Sequence, residues 1–145
     1  MNALQAYLPQ AEGFLPKWLL FISVVSFGNS ISCYTTLHFT SRLYNPTPID
    51  PPPTVPKHVT ALSSRTLGTW TFLTAIVRLY AAYNINDSAF YQLAMWTYGV
   101  AWVHFMSEWW VFGTTRMGAP LASPIIVSNL SLVWMTLQWS FYVKP

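Results

Sequence analysis

The chain has 145 residues, of which 8% are Asp, Glu, Lys or Arg, 53% are hydrophobic and 17% are aromatic. Soluble domains carry about 25% charged residues, and one of this size leaves about a third of its surface in water, so an ordinary soluble enzyme and a disordered tail are both excluded. The net charge of +3 comes from seven singly scattered cations (Lys17, Arg42, Lys57, Arg65, Arg78, Arg116 and Lys144) against four anions, a pattern without the basic run that nucleic acid selects.

Four apolar stretches are long enough to cross about 30 Å of hydrocarbon, which takes about 20 helical residues. They run over roughly residues 18–37, 66–83, 88–112 and 120–143. None alternates strictly, and all are too long for barrel strands, so the expected fold is an all-α integral membrane protein, a single domain built as a bundle of four transmembrane helices. The first stretch contains Ser23, Ser26, Asn29, Ser30 and Ser32 and lacks the small-residue exit of a cleaved signal, which makes it a retained span. Its start, Lys17 to Val24, also fits the loose reversed sterol-contact pattern, which chance often produces.

Residues 38–65 form the long connection. Its stretch from Asn45 to Pro56 holds six of the chain's eleven prolines, and proline lacks an N–H and fixes φ, so an extended arm is expected here. Such an arm is either a docking segment for a partner or a loop joining two helix ends. Asn84 to Asp87 makes a tight hairpin, and Gly113 to Gly118 joins the last two spans. The sequon Asn86-Asp87-Ser88 abuts the membrane, and Asn129-Leu130-Ser131 lies within the fourth span. Loops one and three carry Arg42, Lys57, Arg65 and Arg116, against Lys17 and Lys144 on the other side, which favours those loops in the cytosol.

Polar groups at membrane depth are costly and so mark candidate sites. Here they are Asn29, Arg78, His104 and Glu108, with Arg65 beside the second span at the loop-one interface. His104 and Glu108 are four residues apart on one helical face. Counting outward from the hairpin places Arg65 level with Glu108, so an Arg65–Glu108 ion pair is expected, whereas Arg78 has Asp87 as its nearest acid and is expected to snorkel toward it. These residues are read as structural or partner-contact groups rather than catalytic ones, since no nucleophile or cofactor motif accompanies them. Three dispersed histidines and the single Cys33 provide no iron or zinc site. No glycine-rich nicotinamide loop and no nucleophile elbow occurs, so no cofactor is expected. Gly28 and Ser32, spaced for close helix approach, and Ser26 with Ser30 are candidate packing positions, with self-association through Gly28 as one outcome.

The run Arg65-Thr66-Leu67-Gly68-Thr69-Trp70-Thr71 followed by Arg78, together with Trp96-Thr97, His104-Phe105, Ser107-Glu108, Gly113-Thr114 and Gly28-Asn29, resembles the ergosterol biosynthetic protein 28 family over about residues 17–143. The resemblance adds Gly68 to the packing positions. It implies a non-enzymatic scaffold of the endoplasmic reticulum membrane in ergosterol biosynthesis. Its implied partners are the sterol C-4 demethylation enzymes: a C-4 methyl oxidase, a C-4 decarboxylating dehydrogenase and a 3-keto reductase. The Pro-rich arm looks like the longer loop of fungal members. From the residues alone, a small sterol-binding carrier or sterol-modifying membrane enzyme using His104 and Glu108 stays open as an alternative, with membrane lipid, sterol included, as its ligand.

Overall fold

The computed structural model describes residues 6–144. Those residues are all-helical, without a strand. The long helices are α1 (Leu15–Thr35), α3 (Ala61–Tyr83), α4 (Ser88–Trp110) and α5 (Ala119–Leu137), and the short ones are α2 (His38–Leu43) and α6 (Trp139–Tyr142).

Local chemistry sets the helix ends. Pro16 begins α1 and Pro120 begins α5, positions where the missing N–H leaves no intrahelical bond unmade. A reciprocal capping box opens α3: Thr60 accepts from the Ser63 N–H, and the Ser63 hydroxyl accepts from the Thr60 N–H. Asp87 caps α4 by accepting from the backbone of Ala89 and Phe90. Pro124 lies inside α5, one turn beyond Pro120. The fourth apolar stretch does not run on as one helix, because α5 stops at Leu137 and α6 restarts at Trp139. The long connection also departs from an unbroken arm: His38–Leu43 coil into α2 before the prolines begin.

Helix α1 packs antiparallel on α3, α3 on α4 and α4 on α5. The α1–α3 seam is polar and small. Ser23 donates to the Ala75 carbonyl at 2.7 Å, Ser30 to the Gly68 carbonyl at 2.7 Å, and Ser64 to the Cys33 carbonyl at 2.8 Å. Each bond costs little entropy, since a serine has one short rotor, and each satisfies a hydroxyl that is otherwise expensive to bury.

Gly68 lies against α1 with no room for a side chain. A β-carbon added there would lie 2.8 Å from a ring carbon of Tyr34 and 2.9 Å from Cβ of Cys33. Gly28, by contrast, sits on an exposed face of α1 with nothing within 4 Å of such an atom. The reason is helical phase: two residues from buried Ser26 is about 200° around the axis, so Ser23, Ser26, Ser30 and Cys33 face inward and Gly28 faces out. Ser32 is half-buried and lines a crevice rather than the seam.

Two apolar clusters fill the interior. One gathers Leu15, Leu19, Ile22, Tyr91, Ala94 and Met135, and the Tyr91 hydroxyl donates to the Met135 carbonyl at 2.7 Å. The other gathers Cys33, Leu43, Leu67, Ala101, Phe105 and Leu121. On the opposite faces large apolar side chains stand exposed, among them Phe21 and Ile31 on α1, Leu73 on α3, Trp96 and Val103 on α4, and Ile126 and Leu137 on α5. Apolar side chains thus lie both inside, beside the buried serines, and across the outer faces of all four long helices, and an exposed apolar surface of this extent calls for a partner other than water. By length and apolarity, α1 and α5 can each cross a membrane. Helices α3 and α4 are longer, at 23 residues each, but diluted by Thr, Ser, Tyr and Trp.

Candidate functional site

Two polar regions emerge. The first joins α4 to the segment after α2. Tyr44, at the end of α2, extends its hydroxyl to His104 Nε2 at 2.7 Å, and its backbone carbonyl is 2.9 Å from His58 Nε2. Burial, and after it the nearby Glu108 carboxylate, push the Tyr44 phenol above its ordinary pKa, so it stays neutral and can donate. A phenol that donates to Nε2 leaves the imidazole proton on Nδ1. Trp70 of α3 meets the His104 ring edge-on, with centroids 5.1 Å apart at 73°. Glu108 accepts from the Thr114 hydroxyl in the α4–α5 turn. His104, Glu108, Tyr44, His58, Trp70 and Thr114 all line one cavity of about 650 Å³.

Glu108 therefore bonds to Thr114 rather than to Arg65. The ion pair expected from height does not form, because Arg65 is exposed on α3 while Glu108 lies against the turn that follows its own helix. Among the described residues the one ion pair joins Arg42 and Asp50 across the proline arm, with two hydrogen bonds of 2.7 and 2.8 Å. It holds the Asp50 carboxyl below its usual range.

The second region surrounds Arg78. It does not snorkel toward Asp87 but turns inward, only 7% exposed. Its Nε donates to Thr97 Oγ1 at 3.0 Å and its Nη1 to Ser26 Oγ at 3.3 Å, while its guanidinium carbon sits 4.2 Å from the Tyr98 ring centroid. Snorkelling loses here because one and a half turns separate Arg78 from the end of α3, whereas Ser26, Thr97 and Tyr98 offer three contacts within reach. Arg78, Asn29 and Ser32 line a crevice of about 440 Å³ between α1, α3, α4 and α5.

The structure thus brings His104 and Glu108 to one cavity and Arg78, Asn29 and Ser32 to another, and leaves Arg65 and Gly28 outside both. Sequence reasoning missed Tyr44 and His58. Neither carries charge at membrane depth nor a motif; the one available signal was an aromatic residue at the end of a short amphipathic stretch before the prolines. Among the described residues no group of three or more His, Cys, Asp or Glu is arranged to hold a metal ion.

The family model described as Erg28 like protein matches residues 15–133. The chain belongs to this family. It is 46% identical over 141 residues to ergosterol biosynthetic protein 28 of Candida albicans, covering 97% of this chain and 96% of that protein. To the protein of that name from Saccharomyces cerevisiae it is 42% identical over 132 residues, covering 90% and 84%. The human homolog is 30% identical over 122 residues, covering 83% of this chain and 81% of its own. No solved structure matches. The family takes its name from ergosterol biosynthesis, and its matched region contains every helix described here except the last turn of α5 and all of α6.

Proposed function

We propose that this chain is a non-catalytic, multi-pass scaffold of the endoplasmic reticulum membrane. In this reading it is a bundle of four transmembrane helices that holds the sterol C-4 demethylation enzymes together: the C-4 methyl oxidase, the C-4 decarboxylating dehydrogenase and the 3-keto reductase. The observation that carries the reading is near full-length similarity to relatives named for ergosterol biosynthesis. The exposed apolar faces support a lipid setting for all four long helices, because Leu73 and Val103 give α3 and α4 apolar outer faces like those of α1 and α5. That His104 and Glu108 are engaged by Tyr44 and Thr114 supports a positioning role for them.

The physical advantage of a scaffold is effective concentration. Holding sequential enzymes on one support turns each transfer of a poorly soluble intermediate into a local event, without dilution across the bilayer. A pull-down of the tagged full-length chain from native membranes in gentle detergent, followed by mass spectrometry, tests this. Joint recovery of the three enzymes, lost in harsher detergent, is the expected result. Recovery of the chain with lipid alone would overturn it.

One observation favours a second reading, a sterol-binding carrier or sterol-modifying enzyme: His104 and Glu108 face a single cavity of about 650 Å³, a volume within the range of small-molecule sites. This reading requires turnover or stoichiometric sterol binding by the pure protein, with loss in a folded His104→Ala variant.

A further inference from the structure

The crevice between α1, α3, α4 and α5 carries a charge that the chain itself does not balance. Arg78 lines it with only 7% of its surface exposed. A guanidinium has five N–H donors, and the bonds to Thr97 and Ser26 use two of them. The chain has four acidic residues, Glu12, Asp50, Asp87 and Glu108. None lines the crevice, and none pairs with Arg78 among the described residues. The other cation on the lining, Arg42 at the far end, already has Asp50 as its partner. A buried cation without a counter-charge is expensive, and a structure that keeps one has positioned it toward something negative.

The shape of the crevice says what else that partner has. Along α3 it extends from Arg78 to Leu67, roughly 16 Å at helical rise. Ile22, Val25 and Val127 wall the crevice around the arginine, and Leu43, Leu67, Trp70 and Phe105 wall it farther along, where His38 and Arg42 also reach the lining. Thr74, one turn before Arg78, is a hydroxyl near the charged end, and Asn29 lies farther along, level with Gly68. We propose that this crevice binds an amphiphile bearing one oxyanion, carboxylate or phosphate, which sits on Arg78 while its apolar body lies along the wall toward Leu67 and Phe105. The site is separate from the His104 cavity, and it does not depend on the scaffold reading, since it concerns the pure protein.

Matched pairs that differ only in the head group test the site on the purified full-length chain in nanodiscs of phosphatidylcholine, with bound ligand counted by native mass spectrometry. The pairs are cholesteryl hemisuccinate with cholesterol, oleate with oleyl alcohol, and phosphatidate with diacylglycerol. In at least one pair the anionic member is expected to bind about 10- to 100-fold more tightly than its neutral twin, the range for a hydrogen bond to a charged group. The pair that shows the preference identifies the source as sterol-like, acyl or phospholipid. Arg78→Met is expected to erase the preference, and Thr74→Leu, which fills the crevice beside an intact arginine, to weaken the anionic member at least about tenfold. Equal binding within all three pairs overturns the site, as does a preference that survives Arg78→Met. Displacement of the anionic member by millimolar acetate or inorganic phosphate alone would reduce the site to a simple ion site and overturn the amphiphile. The wild-type comparison decides even where Arg78→Met fails to fold.

Discussion

The surroundings of His104 and of Arg78 are both polar islands among apolar helices, yet they are resolved in opposite ways. At His104 the chain supplies the partners: the Tyr44 hydroxyl on Nε2, Trp70 against the ring, and Thr114 on the neighbouring Glu108. At Arg78 it supplies two hydroxyls and an aromatic face, but no anion. A neutral imidazole needs only hydrogen bonds, so a tyrosine suffices. A guanidinium in low dielectric needs an opposite charge, which hydroxyl dipoles replace only in part. The difference teaches that a polar group's position among apolar helices is a poor guide to function by itself; what distinguishes the two residues is whether the chain completes their chemistry.

The strongest way to break this comparison is to remove the unbalanced charge. Arg78→Met keeps the volume and drops the cation. With no carboxylate left stranded and an unpaired buried cation removed, offset by the Ser26 hydroxyl that loses its partner, thermal unfolding in detergent should show a protein unchanged or stabilised, by up to about 3 kcal/mol. Thr97 still donates to the Ala94 carbonyl in that variant. A loss of more than about 1 kcal/mol would mean that Arg78 is a structural strut and that the contrast with His104 is unfounded.

Gly68→Ala comes next, because the α1–α3 seam positions Ser26 for Arg78. The new methyl would meet Cβ of Cys33 and the Tyr34 ring, and overpacking of this kind costs about 1–3 kcal/mol. The same assay should find Gly28→Ala neutral or slightly stabilising, since nothing lies near that position and alanine is the better helix former. Equal effects at the two glycines would refute the assigned helix phase.

That phase also marks the limit of what the sequence discloses. An all-helical chain with apolar stretches was legible, because helix length and lipid thickness are one-dimensional quantities and hydropathy is read along one dimension. The azimuth of each helix was not. Gly28 and Gly68 are equally small, and only the inward row of Ser23, Ser26, Ser30 and Cys33 tells which one meets a neighbour. Height counting failed for Arg65 and Glu108 for the same reason, since two residues at one level can point apart. Tyr44 could not be found from charge or motif, because its role arises when α2 folds the chain back toward α4.

Tyr44→Phe sharpens the other half of the comparison. It removes one hydroxyl and leaves the ring, so His104 loses its Nε2 partner while packing persists. A destabilisation of about 0.5–1.5 kcal/mol is expected, and the His104 ring signals in an NMR spectrum should shift while those of residues around Arg78 stay in place. If the Arg78 surroundings move as well, the two islands are coupled and cannot be treated as separate sites.

The smallest effect belongs to Asp50, outside both islands. Arg42 lowers its carboxyl pKa by hydrogen bonding first and by charge attraction second. A carboxylate with a depressed folded pKa stabilises fully above its ordinary value of about 3.9 and loses that contribution as pH falls through the folded value. The pair should therefore matter uniformly from neutral pH down to about pH 5 and fade only in stronger acid. Because the pair is solvent-exposed, salt screens it. Asp50→Asn should leave the melting temperature nearly unchanged at pH 7 and flatten its fall below pH 4. A large loss at neutral pH would instead show that the proline arm depends on this pair, and through Tyr44, six residues earlier, that the His104 island does too.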